Sequence, residues 1–361
     1  MTSLRFRALL VAASLAAAIP AAGETTRTLR VEVPAGAFAV ENLAGRMNVR
    51  AGGGDRVVVI ATVHADTPEL ADRFRLETVN TAGATSVVRV RYPHGEDTIR
   101  YRTSRGTDDD SFLFGLFNNS SHGSFSYDGR TYRVSGTRGR LLYANLEIEV
   151  PARDLDATFR NRVGTISASG LSGRLSFDVA SADVRVDHLS GNIRLNGSSG
   201  DVQAADIHGS WKSDFSSGDI VLERFSGERA DFASRSGDVR IASMEAAVLS
   251  LETSSGDLKI TDAEIADVSL HTGSGDILLE SRGRRLDRLQ ARTGSGDVAL
   301  RIPREAPFEA HGSFGSGDMH VGFTDGTATV RSGEMIAYRR GSGGVRINVD
   351  TGSGNLTIEP R

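Results

Sequence analysis

The residues best placed to do chemistry are the aspartates of a Ser-Gly-Asp triplet that recurs through the second half of the chain. The glycines of its seven copies are spaced by 18, 19, 19, 19, 21 and 21 residues. The copies end at Asp201, Asp219, Asp238, Asp257, Asp276, Asp297 and Asp318. Regularly spaced carboxylates could hold a row of calcium ions or line the groove of a carbohydrate-active β-helix enzyme.

The same triplet also has a structural interpretation, which we favour. Glycine supplies the positive φ of a sharp corner, and Ser and Asp side chains hydrogen-bond nearby backbone groups. Calcium-binding nonapeptides place one residue between Gly and Asp, whereas the two are adjacent here. Carboxylates stacked about 4.8 Å apart repel one another unless each is paired or hydrogen-bonded. We therefore predict no metal, no cofactor and no catalytic residue, and leave open whether the aspartates bind a cation.

Other catalytic signatures are missing from the sequence. The chain has no cysteine, its eight histidines form no His-x-x-x-His pair, and no Gly-x-Ser-x-Gly motif occurs. An active site also breaks a repeat with unusual residues on long loops, and these repeats have minimal loops. We predict that the protein is not an enzyme; a carbohydrate-active β-helix enzyme is the less favoured alternative.

The triplets are followed by short strands. Apolar residues two positions apart, such as Val239 and Ile241, put two side chains on one face. A second unit about nine residues further on, such as 189–195, adds another strand to each repeat. The sequence thus predicts an all-β fold, a parallel β-solenoid (β-helix) of about eleven rungs of 18–21 residues. The residues four positions after the glycine should face inward and stack as a ladder: Ile241, Ile260, Leu279 and Leu300. The residue before each of them should face outward: Arg240, Lys259, Leu278 and Ala299.

Degenerate copies extend the series in both directions. They lie at Gly164 and Ala182 upstream, and at Ser332-Gly333-Glu334 and Ser353-Gly354-Asn355 downstream. The polarity pattern of 40–49 matches that of the rung segment 186–195, so we expect the solenoid to begin near residue 28.

Three regions follow from these patterns. Residues 1–23 form a signal peptide, 24–160 an N-terminal β region continuous with the solenoid, and 161–361 the regular solenoid repeats. Thr67 followed by Pro68 predicts a short helix over 67–74. Residues 93–139 form an irregular insertion whose role stays open. Its aromatic residues either pack back on the solenoid or present a binding surface: Phe112, Phe114 and Phe117.

The N-terminus predicts export. Arg5 and Arg7 precede a short apolar stretch over 9–19, and small residues precede a cleavage point before Glu24. No later segment approaches 18 consecutive apolar residues, so we expect no transmembrane segment in the mature chain. The net charge of −4 argues against nucleic acid as a partner. We expect an exported protein of the periplasm, cell surface or extracellular space.

Tandem Ser-Gly-Asp-[Val/Ile/Leu]-x-[Val/Ile/Leu] units after an export signal resemble a bacterial family of candidate adhesins, a domain of unknown function with β-strand repeats. The resemblance covers roughly residues 28–358 and is strongest over 164–300. It implies a non-enzymatic envelope or surface protein that binds an envelope, surface or carbohydrate partner. A structural or self-assembling periplasmic rod is the alternative. Pro360 and its charged neighbours should blunt the last strand's edge, which favours a monomer.

Overall fold

The computed structural model describes residues 24–80, 85–101, 123–283 and 285–361. The predicted signal peptide at 1–23 and the residues Phe112, Phe114 and Phe117 of the insertion lie outside the described residues. The chain forms two compact units that meet between Ala168 and Ser169. Among the described residues the single helix has five residues, and no helix is long and apolar enough to cross a membrane.

The described residues of unit 1 contain one helix and ten strands. Helix α1 spans Pro68–Asp72. The strands are β1 Thr25–Pro34, β2 Ala37–Gly52, β3 Arg56–Ala65, β4 Arg75–Asn80, β5 Ser86–Arg91, β6 Thr98–Arg100, β7 Ser124–Tyr127, β8 Arg130–Ser135, β9 Arg140–Pro151 and β10 Leu155–Ser169, which ends one residue past the boundary.

Unit 1 mixes parallel and antiparallel pairing. Strand β2 pairs in parallel with β5 and β9, as its match to a rung segment predicts. Strand β3, however, pairs antiparallel with both β1 and β9. Unit 1 is therefore less regular than the repeats of unit 2, because it adds antiparallel pairing to the parallel pairing of a solenoid. The run Gly52-Gly53-Gly54-Asp55 reverses the chain directly after β2, so β3 returns in the opposite direction.

Two local features of unit 1 bear on the sequence predictions. The predicted helix is present, and the Thr67 hydroxyl caps it by accepting a hydrogen bond from the Leu70 amide at 3.3 Å. The insertion 93–139 is more regular than predicted. It contains β6 and an antiparallel hairpin of β7 and β8, whose turn residues Asp128 and Gly129 have φ of 53° and 73°. This Asp-Gly pair tolerates the left-handed conformation that a tight hairpin requires.

Unit 2 contains fourteen strands. They are β11 Ser172–Ser199, β12 Val202–Ser217, β13 Ile220–Ser236, β14 Val239–Ser255, β15 Leu258–Ser274, β16 Ile277–Ser281, β17 Arg288–Ser295, β18 Val298–Ile302, β19 Phe308–Ser316, β20 Met319–Val321, β21 Thr327–Arg331, β22 Glu334–Arg340, β23 Val345–Ser353 and β24 Leu356–Pro360.

Unit 2 is a parallel β-solenoid, as the repeat predicts. Strands β12 to β15 each follow most of one rung, the longer β11 extends over more than one, and each pairs in parallel with the next rung. The predicted inward ladder is confirmed, because Ile241, Ile260, Leu279 and Leu300 are register partners in turn and at most 2% exposed. The residues before them are exposed or half-buried. Equal offset from the corner glycine thus means equal position in the cross-section.

The last rungs do not stack in sequence order. Strand β23 pairs with β17 on one side and β19 on the other, and β24 likewise lies between β18 and β20. The rung of Ser353-Gly354-Asn355 is therefore inserted between the rungs of Asp297 and Asp318. The C-terminal strand is an interior strand, so the expectation that Pro360 blunts a terminal edge is wrong.

Ser332-Gly333-Glu334 was predicted to be a corner, and this prediction is also wrong. It forms the turn of an antiparallel hairpin in which Arg331 faces Glu334. Ser332 and Gly333 have φ of 53° and 92°, which suits a tight hairpin turn. Strand β22 pairs antiparallel with β19 of the last rung, and Tyr338 stacks on Phe308 at 5.7 Å. The hairpin thus covers part of the final rung's edge.

Candidate binding surface

The Ser-Gly-Asp glycines lie at corners where no other residue fits without strain. At Gly256 φ is +136°, and a Cβ there would lie 2.2 Å from the carbonyl oxygen of Gly237 in the preceding rung. Gly237 stands in the same relation to Gly218, also at 2.2 Å. The glycine is required both by its backbone angle and by the close approach of the neighbouring rung.

The aspartates of the triplets are joined to one another through the backbone. The Asp257 amide donates to Asp238 Oδ1 at 2.9 Å, and the Asp276 amide donates to Asp257 Oδ1 at 2.9 Å. The same hydrogen bond recurs at the other rungs at 2.7–3.0 Å, and in the inserted rung Asn355 replaces the aspartate. The acceptors there are Asp183, Asp201, Asp219, Asp276, Asp297 and Asn355. Each stacked carboxylate from Asp183 to Asp297 therefore has a hydrogen-bond donor that offsets the repulsion between neighbours.

These hydrogen bonds link the corners of successive rungs. Burial raises the pKa of Asp183 and of Asp201 above the ordinary value of a carboxyl group, and the amide hydrogen bonds partly oppose that rise. An amide oxygen serves equally at Asn355, which accepts from the Asp318 amide at 3.0 Å. A neutral acceptor at one rung shows that the corner needs an oxygen rather than a charge.

A second candidate surface lies elsewhere in unit 2, on the outer face of its first rungs. A depression of about 410 Å³, here termed the basic groove, is lined by four cations and a single carboxylate, with short polar and apolar residues between them. The lining residues are Arg174, Arg194, Lys212, Arg229, Asp231, Ser176, Asn192, Ser210, Leu175, Ile193 and Trp211.

Strand register brings the groove's cations together. Arg194 and Lys212 are direct register partners on neighbouring parallel strands, and both side chains are exposed. Neither forms an ion pair within the part of the chain that the structure describes. Arg229 donates from Nε to Asp231 Oδ2 at 2.7 Å, so the groove's one carboxylate is already engaged. Lys212 has Asp231 as its register partner on the other side, but that carboxylate pairs with Arg229, so neither Arg194 nor Lys212 has an ion-pair partner of its own among the described residues.

Beneath the groove, large apolar residues pack against the inner side of the sheet. Trp211 is 1% exposed, and its ring centroid lies 6.2 Å from that of Phe232. Leu175 and Ile193 are also buried beneath the outward-facing polar residues. Because these side chains are fixed by packing, the cations above them are held on a firm sheet rather than on a loop.

Elsewhere in unit 2, many arginines are neutralised by carboxylates of the same or a neighbouring rung. Arg224 donates to both oxygens of Asp206 at 2.7 and 2.9 Å. Further pairs join Arg240 to Asp238, Arg282 to Glu245, Arg301 to Glu280 and Arg340 to Asp325, at 2.5–2.7 Å. The basic groove differs from this pattern, since its central pair of cations faces solvent without an ion-pair partner of its own among the described residues.

Unit 1 has a second polar depression, a cleft of about 440 Å³. Its two carboxylates are largely buried and each is held by arginine. Glu41 accepts from Arg89 Nε at 2.6 Å and from Arg160 Nη1 at 2.9 Å, and Asp128 accepts from Arg89 Nη1 at 2.7 Å. This network anchors the β7–β8 hairpin through Asp128. Its two carboxylates offset most of the arginine charge of the cleft, so it is a weaker candidate for binding than the basic groove.

One cluster has metal-ligand types. The ligand atoms of Asp187, His188 and Asp206 lie within 4.8 Å of one another on the surface. Both oxygens of Asp206 accept from Arg224, and this hydrogen bonding lowers the pKa of the Asp206 carboxyl. The cluster is therefore a surface ion-pair network, and we assign it no metal.

The sequence prediction named no binding residue and so missed the basic groove. A usable signal was present, because Arg194 and Lys212 are 18 residues apart, one rung period, at outward-facing positions. Reading charge along the repeat, as well as apolarity, would have placed them side by side.

Comparison with known proteins bears on the fold and the family. The profile of the Toastrack family, DUF4097, matches residues 144–359. No curated protein matches the chain.

Matching solved structures include three bacterial proteins. A candidate cell adhesion protein from Clostridium sporogenes is 7% identical, with 93% of this chain and 100% of that chain covered and a TM-score of 0.22. A candidate lipid-binding protein from Parabacteroides distasonis is 11% identical, with 92% of this chain and 96% of that chain covered and a TM-score of 0.40. A candidate adhesin from Bacteroides fragilis is 10% identical, with 92% of this chain and 97% of that chain covered and a TM-score of 0.34. Identities and TM-scores this low carry no inference about a ligand.

Proposed function

Because the chain belongs to the Toastrack DUF4097 family, we propose that it is an exported, non-enzymatic binding module of the bacterial envelope. The ligand surface is the basic groove of unit 2. The observation that carries the proposal is the pair of register neighbours Arg194 and Lys212, exposed and without an ion-pair partner of their own among the described residues. Charged groups of this kind guide association and specify a partner by complementarity.

The non-enzymatic part of the proposal is supported by the state of the carboxylates. In the Asp ladder an oxygen of each aspartate from Asp183 to Asp297 accepts an amide of the next rung. In the unit 1 cleft, Glu41 and Asp128 are held by arginines. A general acid or base needs a carboxyl group free to exchange a proton with a substrate.

A self-assembling rod is the competing function, and it requires an open edge at the end of the solenoid. Strand β22 covers Phe308–His311 of the last rung by antiparallel pairing, which leaves a shorter edge for a second copy. Size-exclusion chromatography with light scattering should therefore give a monomer of the mature chain. A concentration-dependent series of larger species would favour the rod instead.

Export and binding are tested on the protein from its native cells. N-terminal sequencing of the extracytoplasmic fraction should begin at Glu24, in agreement with the cleavage point that the sequence predicts. Purified chain 24–361 should then co-sediment with washed envelopes in a saturable manner. A protein that retains Met1 in the cytoplasm, or one that shows no saturable envelope binding, would contradict the proposal.

A further inference from the structure

The basic groove presents its charges in a fixed two-dimensional pattern. Arg194 and Lys212 lie on adjacent strands, about 4.8 Å apart at the backbone. In the neighbouring row two residues back along the strands, Asn192, Ser210 and Arg229 are register partners. That row is about 7 Å away, the distance between alternate residues of a strand. Asp231 lies opposite Lys212 on the next strand and two residues beyond Arg229, with which it pairs.

This arrangement costs stability in the absence of a ligand. Like charges directly opposite each other on neighbouring strands repel, and the effect is weakened only by solvent and salt. Asp214 lies two residues beyond Lys212 on the same exposed face and forms no ion pair with it in the described part of the chain. An anion placed between Arg194 and Lys212 would remove the repulsion and gain charge-assisted hydrogen bonds.

The form of the groove selects among anionic partners. It lies on the face of a sheet whose strands are already paired on both sides, so a peptide cannot bind there by adding a strand. A membrane surface would require exposed apolar side chains. The two large apolar residues exposed in the described chain, Val79 and Val330, both lie outside the groove.

Nucleic acid is also a poor fit. The net charge is −4, and the groove's one aromatic ring, Trp211, is buried rather than presented for stacking. Asn192, Ser176 and Ser210 instead offer alternating donors and acceptors suited to hydroxyl groups. The arginine fork of Arg194 suits a carboxylate.

We infer that the basic groove binds a linear acidic polysaccharide, whose carboxylates contact Arg194 and Lys212 while its hydroxyls contact Asn192 and Ser210. The inference rests on the proposed function and names the ligand class of the same surface. Binding of this kind is electrostatic and exposed, so it should weaken steeply as salt is raised.

The test titrates chain 24–361 with polygalacturonate oligomers by calorimetry at low ionic strength. The same oligomers with methyl-esterified carboxylates and a poly-glutamate peptide of equal charge serve as the comparison ligands. Trp211 is the chain's single tryptophan and lines the groove, so its emission should change with the same midpoint as the heat.

The groove variant is Arg194→Gln/Lys212→Gln, and the matched control is Arg240→Gln/Lys259→Gln. The control pair also consists of exposed register neighbours, on a different part of the same solenoid. We expect polygalacturonate affinity to fall at least about tenfold in the groove variant, since each charged hydrogen bond is typically worth about that factor. The control should stay within about twofold of the unmodified chain.

The outcomes separate the ligand class from the function. Selective binding of the acidic oligomer that is lost only in the groove variant supports the inference. The inference is overturned if the esterified oligomer or the peptide binds equally well, or if both variants are weakened equally. It is also overturned if binding heat appears without a change in Trp211 emission, or if the acidic oligomer does not bind. If the chain still binds envelopes in a saturable manner, the proposed function survives that result; if it does not, the proposed function is contradicted as well.

Discussion

Ile260 and Lys259 are adjacent in the chain, yet the solenoid predicts opposite consequences for replacing them. Ile260 is 0% exposed and lies between Ile241 and Leu279 in the inward ladder. Lys259 is exposed on the outer face of the same strand. Ile260→Ala and Lys259→Ala therefore test which face of the strand is buried.

The magnitude for Ile260→Ala follows from the atoms removed. Three carbon groups leave the core, at about 0.8 kcal/mol each, and the cavity between two flanking rungs adds to that loss. We expect the free energy of unfolding to fall by about 3–4 kcal/mol. Lys259→Ala should change it by no more than about 0.5 kcal/mol, as is usual for exposed positions.

Chemical denaturation followed by Trp211 emission is the assay, because this tryptophan belongs to the same unit. The midpoint should shift strongly for Ile260→Ala at an unchanged slope. Rungs rely on their neighbours for burial, so a probe three rungs away should report the loss. Equal shifts for the two variants would refute the assignment of strand faces and with it the register of the solenoid.

Three further predictions concern the corners and the inserted rung. A chelator should leave the melting temperature unchanged, because backbone amides satisfy the carboxylates of the Asp ladder. Asp257→Ala should lower the free energy of unfolding by about 1 kcal/mol, because the Asp276 amide loses its acceptor, whereas Asp257→Asn should lower it by at most about 0.5 kcal/mol. A large drop in melting temperature with chelator, or an equal loss of stability in Asp257→Ala and Asp257→Asn, would contradict the structural role of the ladder. Deleting 345–361 should lower the melting temperature by more than about 10 °C, because β23 and β24 are interior strands; a drop of a few degrees would indicate a terminal rung. Burial raises the pKa of Asp183, so its ionised form costs stability at neutral pH and that cost is relieved as pH falls through the raised pKa. Asp183→Asn should therefore raise the melting temperature at neutral pH, and this gain in melting temperature should shrink on acidification. A gain that grows on acidification would contradict the raised pKa of Asp183.

Local sequence predicted the rungs because each rung repeats one relation between corner glycine and apolar residue. Val239 and Ile241 keep the offsets of Leu258 and Ile260, and stacking turns equal offsets into ladders. The order of the last rungs could not be predicted in this way. The triplet at Ser353 resembles those at Ser295 and Ser316, and nothing local states which of them becomes its neighbour.

The hairpin at Ser332 shows a second limit. A Ser-Gly pair suits both a solenoid corner and a tight hairpin, because both need positive φ at glycine. The residues that follow do not separate the two, because Met335 and Ala337 are apolar and two apart, as after a true corner. The basic groove was missed for a different reason, since it depends on charge at outward positions that the apolar pattern ignores.

The most direct test of the proposed function compares saturable envelope binding of the unmodified chain 24–361 with that of its two double variants. The account predicts that Arg194→Gln/Lys212→Gln loses most of the bound fraction at low salt, while Arg240→Gln/Lys259→Gln keeps it. Equal envelope binding by all three proteins would contradict the claim that the basic groove is the surface through which this chain binds.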